Sequence, residues 1–103
     1  MDRPIRLLAI PALLLGLTGP AWAQDVALAR NLAATCANCH GTNGQARGEM
    51  KPLAGMPADK IALMLAAYKS GAAPSTVMGQ IAKGYTDEQI RQIAAFFAAQ
   101  PAK

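Results

Sequence analysis

Two cysteines and the chain's only histidine stand within five consecutive positions, Cys36-Ala37-Asn38-Cys39-His40. The C-x-x-C-H spacing is typical of covalent c-type haem attachment. Two thiols three residues apart can each add to one of the two neighbouring vinyl groups of a porphyrin, and the adjacent imidazole is then held beneath the iron. The motif therefore predicts one covalently bound haem c, tethered by Cys36 and Cys39, with His40 as an axial ligand of the iron.

Three other uses of a cysteine pair explain the sequence less well. A thioredoxin-like redox site requires a βαβ context, which this chain lacks. A structural zinc site requires four nitrogen or sulfur ligands, and two cysteines with one histidine do not complete that set. A disulfide across two intervening residues is strained and rare. Haem attachment is therefore the favoured interpretation of the motif.

Elimination reduces the number of residues that could be the second axial ligand. His40 is the only histidine, so bis-histidine ligation is impossible and the choice is a methionine, a lysine or an open position. Met64 falls on the apolar face of a predicted helix, which favours a packing role. Met50 and Met56 follow the motif closely, in a segment expected on the proximal side. Met78 lies beyond a proline-containing loop, where the chain can cross to the distal side, and we expect it to be the second ligand.

The first 23 residues have the pattern of a secretory signal peptide. Two arginines precede an apolar run, and the small residues Ala21 and Ala23 stand where signal peptidase cuts. The run is short and is broken by a proline, which disfavours an uncleaved membrane anchor, and no cysteine follows as in a lipoprotein. We therefore expect a signal peptide over 1–23, cleavage after Ala23, a mature domain over 24–103, and a periplasmic location.

The mature chain would be small and poor in large apolar side chains. Removing 23 of 103 residues leaves 80, with eight basic and five acidic side chains and therefore a formal charge of +3. Half of these 80 residues are hydrophobic, but nearly half of the hydrophobic ones are alanine. Domains of this size usually need disulfides, a metal or an embedded cofactor, and a haem would supply the missing apolar core. No basic cluster with interleaved aromatic residues points to nucleic acid.

Periodicity and capping signals predict an all-α fold. No stretch alternates with period two for long enough to form a strand. The last helix is the best specified, because Thr86 and Gln89 match a capping box, and Tyr85 and Ile90 match a hydrophobic staple. The predicted helices are one over 25–37 that runs into the motif, one that begins near 57 and stops at 71, a short one over 76–83, and one from 86 to 101 with the apolar stripe Ile90, Ile93, Ala94 and Phe97.

Taken together, these residues resemble a class I c-type cytochrome, with C-x-x-C-H near the end of the first helix and a methionine ligand C-terminal to it. The resemblance covers the mature chain and implies a small all-α fold of three to four helices around one haem. In that family a proline about a dozen residues after the ligand histidine offers its carbonyl to the imidazole Nδ1–H. The resemblance thus implies this role for Pro52, whose hydrogen bond would fix the tautomer of His40.

Two segments, residues 52–57 and 77–90, are similar to the cytochrome subunits of flavocytochrome c sulfide dehydrogenases. Many members of that group carry two haem domains, and this chain, with one C-x-x-C-H, matches only a single-haem form. The similarity implies a periplasmic single-electron carrier that accepts electrons from an FAD-containing flavoprotein subunit. The chain itself would perform no bond chemistry.

Two other functions are compatible with the same motif. A freely diffusing monohaem shuttle would serve an oxidase or another dehydrogenase and would depend on charge steering. A ligand-binding or peroxidase-like haem protein would keep an open iron position, against which a ligand at Met78 argues. Lys51, Lys69 and Lys83 are candidates to surround an exposed haem edge and steer an acidic partner, although scattered surface lysines more often serve solubility.

Overall fold

The computed structural model describes residues 21–103, and within them it confirms the all-α prediction, since this part of the chain forms helices and no strands. Residues 1–20, which hold most of the expected signal peptide, lie outside the described residues. No helix within 21–103 has the length and apolar character needed to cross a bilayer. The helices are α1 (Ala21–Ala33), α2 (Ala37–His40), α3 (Ala58–Ser70), α4 (Met78–Ala82) and α5 (Asp87–Ala98), with 3-10 turns at Ala34–Cys36 and Thr42–Gly44.

Helix α5 organises the core, because it packs against both α1 and α3, while α4 packs against α3. The predicted apolar stripe of α5 is confirmed as its buried face. Helices α1, α3 and α4 each add one or two buried side chains to this face and α2 adds none, so the core is thin. The buried residues are Ala33, Ile61, Leu65, Ala82, Ile90, Ile93, Ala94 and Phe97.

The start of α5 carries the predicted capping box. The Thr86 hydroxyl accepts a hydrogen bond from the Gln89 amide at 3.1 Å, and the Gln89 side chain accepts one from the Thr86 amide at 2.9 Å. Asp87, in the first turn, forms an ion pair with Lys69 Nζ of α3 at 3.0 Å. The capping box stabilises the start of α5, and the ion pair joins α5 to the end of α3, which engages Lys69 between two helices rather than at a haem edge.

The first helix differs from the prediction at its C-terminal end. We expected it to continue to residue 37, whereas α1 ends at Ala33 and the tighter turn Ala34–Cys36 separates it from α2. Such 3-10 turns are frequent at helix ends because i→i+3 bonds use the last free carbonyls. The attachment motif therefore begins at the last residue of this 3-10 turn, Cys36, and continues through the short helix α2.

The loop between α2 and α3 is closed by Gly44, whose carbonyl accepts hydrogen bonds from the amides of Leu53 at 2.9 Å and Ala54 at 3.1 Å. Gly44 is buried with a φ of 75°, and a Cβ there would lie 2.7 Å from the Ala54 nitrogen and 2.8 Å from Cδ1 of Phe97. Because the backbone at Gly44 is left-handed and neighbouring atoms approach it closely, only glycine fits at this position.

We expect Gly44→Ala to lower the free energy of unfolding of the haem-loaded protein by about 3 kcal/mol, since left-handed strain and overpacking add. Gly71→Ala is the matched control, because Gly71 has a φ of 83° but no atom within 4 Å of the added Cβ. Strain alone should lower the free energy of unfolding of Gly71→Ala by about 1 kcal/mol. Denaturant unfolding of both variants measures the difference, and equal losses would show that the contacts around Gly44 do not matter.

Candidate haem site

The two thiols of the motif lie on one side of the attachment turn. Cys36 ends the 3-10 turn and Cys39 lies three residues later in α2, a spacing that brings helical side chains to the same face. Both cysteines are free thiols, Cys36 half-buried and Cys39 exposed. Burial raises the pKa of the Cys36 thiol above its usual range, and a hydrogen bond from the Thr35 hydroxyl acts in the opposite direction.

A cavity of about 300 Å³ lies beside α2 and is lined by both cysteines and His40. Its far walls come from α3, α4 and α5, and they are built mainly from aliphatic, aromatic and thioether side chains. A cleft of this size with an apolar lining and a few convergent polar groups is typical of a cofactor site. Core residues such as Ile61, Leu65, Ile93 and Phe97 form its floor.

The ring of His40 is oriented by the backbone. Its Nδ1 lies 2.7 Å from the carbonyl oxygen of Lys51. A carbonyl oxygen only accepts hydrogen bonds, so Nδ1 carries the proton and donates it. The lone pair of the neutral ring is then on Nε2, as is usual for metal-binding histidines whose other nitrogen is held by a carbonyl.

The acceptor of this hydrogen bond corrects the expectation for Pro52. The bond goes to the residue before the proline, Lys51, and Pro52 does not line the cavity. The ring of a proline holds the preceding residue in an extended conformation. Because successive carbonyls of an extended chain point to opposite sides, only one of the two can face His40, and here it is that of Lys51.

Four methionines line the same cavity, so the structure brings every methionine considered at the sequence level near the site. Met50 is exposed, and the sulfur of Met64 lies 4.0 Å from Lys51 Nζ. Met56 and Met78 both pack against the core. Met64 therefore lines the cavity from α3, and its role in packing rather than ligation stays a prediction.

Helix α4 places Met78 at its first residue, held close to the end of α3. The amide of Gly79 donates to Ser75 Oγ at 2.9 Å. A Cβ on Gly79 would lie 2.9 Å from that oxygen and 3.5 Å from the carbonyl of Tyr68. A glycine directly after Met78 thus permits the close approach of α4 to α3, which fixes the position of Met78 in the cavity wall.

Several lining residues were not singled out from the sequence. Thr35, Tyr68, Val77 and Ile81 contribute to the wall. The spacing of Val77 and Ile81, four residues apart around Met78, was a detectable signal, since it places both on one face of a helix. Thr35 carried no such signal, because its role depends on a contact far away in the sequence.

The residues present fit a c-type haem. Two thiols and an imidazole with a free Nε2 lie on one wall, a thioether lies in α4, and the walls between them are largely apolar. Among the described residues no buried side-chain nitrogen or oxygen lacks a hydrogen-bond partner, so no unsatisfied polar group in this part of the chain opposes an apolar macrocycle.

Comparison with known proteins places the chain among cytochromes. The family model described as cytochrome c oxidase, cbb3-type, subunit III matches residues 23–97. The cytochrome subunit of sulfide dehydrogenase from Chlorobaculum tepidum is 42% identical over 66 residues, which cover 64% of this chain and 60% of that protein. Cytochrome c-554(548) from Halomonas halodenitrificans is 34% identical over 82 residues, 76% of this chain and 99% of the relative.

A solved structure agrees with these matches. Cytochrome c4 from Acidithiobacillus ferrooxidans superposes with a TM-score of 0.63 at 28% identity, covering 82% of this chain and 52% of that one. The chain thus spans little more than half of the cytochrome c4 chain and 60% of the sulfide dehydrogenase subunit, but almost the whole Halomonas cytochrome. The matched segment contains the attachment motif and all five helices, except for the first two residues of α1 and the last residue of α5. The chain therefore belongs to the c-type cytochrome family described as cytochrome c oxidase, cbb3-type, subunit III.

Proposed function

We propose that this protein is a periplasmic single-electron carrier with one haem c, tethered by Cys36 and Cys39 and ligated by His40 and Met78. The observation that carries the proposal is that all four of these residues line one apolar cavity. Family membership supports the role in electron transfer.

Each residue would have a distinct task. A bound haem supplies one-electron chemistry at its iron. His40 presents Nε2, and the Lys51 carbonyl holds the ring in that tautomer and raises its basicity. The Met78 thioether favours the reduced iron, and the apolar walls exclude water, which also raises the reduction potential. No step in this scheme makes or breaks a substrate bond.

We propose the FAD-containing flavoprotein subunit of a sulfide dehydrogenase as the electron donor. One support is the similarity to the Chlorobaculum tepidum subunit of that name. Another is an apolar rim, defined as Met50, Val77 and Ile81, whose side chains line the cavity and are 44%, 58% and 40% exposed. Stable interfaces have apolar centres depleted of charge, and this rim lies where a haem edge would meet a partner.

A freely diffusing shuttle is the second candidate. It is favoured by the match of 82 residues along 99% of the Halomonas cytochrome, a small protein whose length is close to the 80 residues of the expected mature domain. Charge steering would then depend on exposed lysines. Three lysines were considered for this steering role. Lys69 is paired with Asp87, while Lys51 and Lys83 remain exposed.

Native purification separates the two candidates. As a subunit, the cytochrome should coelute at moderate salt with an FAD-containing chain, and sulfide should reduce its haem rapidly in that complex. Elution alone at low salt, with sulfide reducing the haem no faster than it reduces an unrelated cytochrome, would support the shuttle instead.

We expect Ile81→Glu to weaken binding to the flavoprotein at least tenfold. Burying an unpaired charge at an apolar contact costs more than about 1.4 kcal/mol of binding free energy, and about 1.4 kcal/mol corresponds to a tenfold change in affinity. Leu63→Glu is the matched control, since Leu63 is 73% exposed on α3 and does not line the cavity. Titration of the flavoprotein with each haem-loaded variant measures the effect. Equal affinities for the two variants would remove the apolar rim from the interface.

We also propose export with cleavage after Ala23. The mature chain should then begin at Gln24, which shortens α1 by three residues but leaves Ala33 in the core. N-terminal sequencing of the periplasmic fraction checks this expectation. A membrane-bound product that retains residues 1–23 would contradict it and indicate an anchor.

A further inference from the structure

Lys51 differs from the other residues around the haem cavity because it carries a full charge. Cys36, Cys39 and His40 are engaged by the proposed attachment, and of the other described residues that line the cavity only Lys51 is charged at neutral pH. The rest of that lining is aliphatic, aromatic, thioether or hydroxyl. A cation at the edge of such a cleft is stabilised most by an anion that the cleft itself holds, because a low dielectric strengthens their attraction.

The Lys51 side chain reaches from the loop after α2 to helix α3. Its Nζ lies 4.0 Å from the sulfur of Met64, another residue of the cavity wall. An ammonium has three donors, whereas a thioether is only a weak acceptor. The ion pairs found within residues 21–103 do not include Lys51. In this part of the chain its charge is therefore not balanced by a protein carboxylate.

A c-type haem would bring carboxylates into this cavity. The vinyl groups and the propionates occupy opposite edges of a porphyrin, so tethers at Cys36 and Cys39 direct the propionate edge away from the attachment motif. The Lys51 ammonium lies beside α3 and not beside the thiols, since its contact is with Met64. Hydrogen bonds from an ammonium to a carboxylate are stronger than those between neutral groups.

We infer that the Lys51 ammonium forms an ion pair with a propionate of the bound haem and thereby raises the reduction potential of that haem. The inference rests on the proposed function, because it requires a haem tethered in this cavity. Reduction adds one electron to the haem, and an ionised propionate close to the iron opposes this added negative charge. A cation that pairs with the propionate removes part of that repulsion. Hydrogen bonding around a haem is one of the means by which a protein sets its potential.

Lys51 would then serve the haem at two places. Its backbone carbonyl accepts the hydrogen bond of His40 Nδ1 at 2.7 Å, while its side chain extends to α3. The first contact belongs to the main chain, so replacing the side chain removes the ammonium and leaves the hydrogen bond to His40 in place. A lysine paired with a propionate is also less available to steer a diffusing partner, which leaves Lys83 as the exposed candidate for that role.

The test measures two quantities in haem-loaded variants at one pH and one salt concentration. These are the midpoint potential, by spectroelectrochemistry, and the propionate bending band of the resonance Raman spectrum. Lys51→Gln removes the charge, and it should lower the potential and shift the band. Lys51→Arg keeps a cation and should keep both close to the wild-type values. Lys83→Gln is the matched control, because Lys83 is also exposed but does not line the cavity. It should leave the band in place and change the potential less.

Three results would overturn the inference. One is a potential in Lys51→Gln that is no lower than that of Lys83→Gln. Another is a lower potential with an unchanged propionate band, since the charge would then act on the iron through space and not through a propionate. The third is a Lys51→Arg variant that behaves like Lys51→Gln. Failure of the proposed haem attachment is distinguishable, because the wild-type protein would then lose its colour to acidic acetone before any potential is compared.

Discussion

Replacing both Cys36 and Cys39 with alanine is expected to abolish haem retention. In the wild-type protein, expressed with haem-maturation machinery, the chain should weigh one haem more than its apo mass, and acidic acetone should leave the colour on the protein. In the double variant the mass should fall to that of the apo chain and the colour should be extracted. The reason is that the two thiols are the only cysteines in the chain, so no thioether can form without them.

The same variant should also lose its cooperative fold. The core of the described chain has eight buried side chains, three of them alanine, and the cavity of about 300 Å³ beside them is apolar. A haem that fills this cavity contributes most of the apolar contact area of the site, at roughly 25 cal/mol per Å² buried. Far-ultraviolet circular dichroism during thermal unfolding would show the loss.

Asn38→Ala is the control for the attachment experiment. Asn38 lies between the cysteines and is exposed, so its replacement should change neither the mass increment nor the colour. Haem that survives acidic acetone in the double cysteine variant would overturn the interpretation of the motif.

Met78→Ala is expected to remove the weak near-infrared sulfur-to-iron band of the oxidised protein and to lower its reduction potential by roughly 0.1–0.3 V, within the range of about 0.8 V that axial ligands span. A thioether favours ferrous iron relative to harder ligands, so its loss favours the ferric state. Absorbance beyond the visible range and a potentiometric titration measure the two effects.

Met78 packs against the core as well as lining the cavity, so ligation must be separated from packing. Met78→Leu conserves volume without a sulfur, and it should lose the band while keeping most of the stability. Met56→Ala and Met64→Ala should keep the band, although both side chains also line the cavity. A band that persists in both Met78 variants and disappears in another methionine variant would transfer the ligand role to that residue.

Much of the fold was predictable because its signals are local. The capping box of Thr86 and Gln89 and the stripe from Ile90 to Phe97 involve residues within one or a few turns, and the structure confirms both. The all-α class followed from the same periodicity. The limits of the first helix were less accessible, because a 3-10 turn and an α-helical turn differ little in sequence preference.

The sequence by itself determined the chemistry of the site, because C-x-x-C-H places two thiols and one imidazole within five residues whatever the rest of the chain does. Only the tertiary structure decided which carbonyl holds His40, that of Lys51 instead of Pro52, and that Thr35 meets Tyr85. It also decided that Lys69 pairs with Asp87 instead of remaining available at a haem edge. These contacts join residues 11, 50 and 18 positions apart, and such separations are set by how the helices pack rather than by any local preference of the backbone.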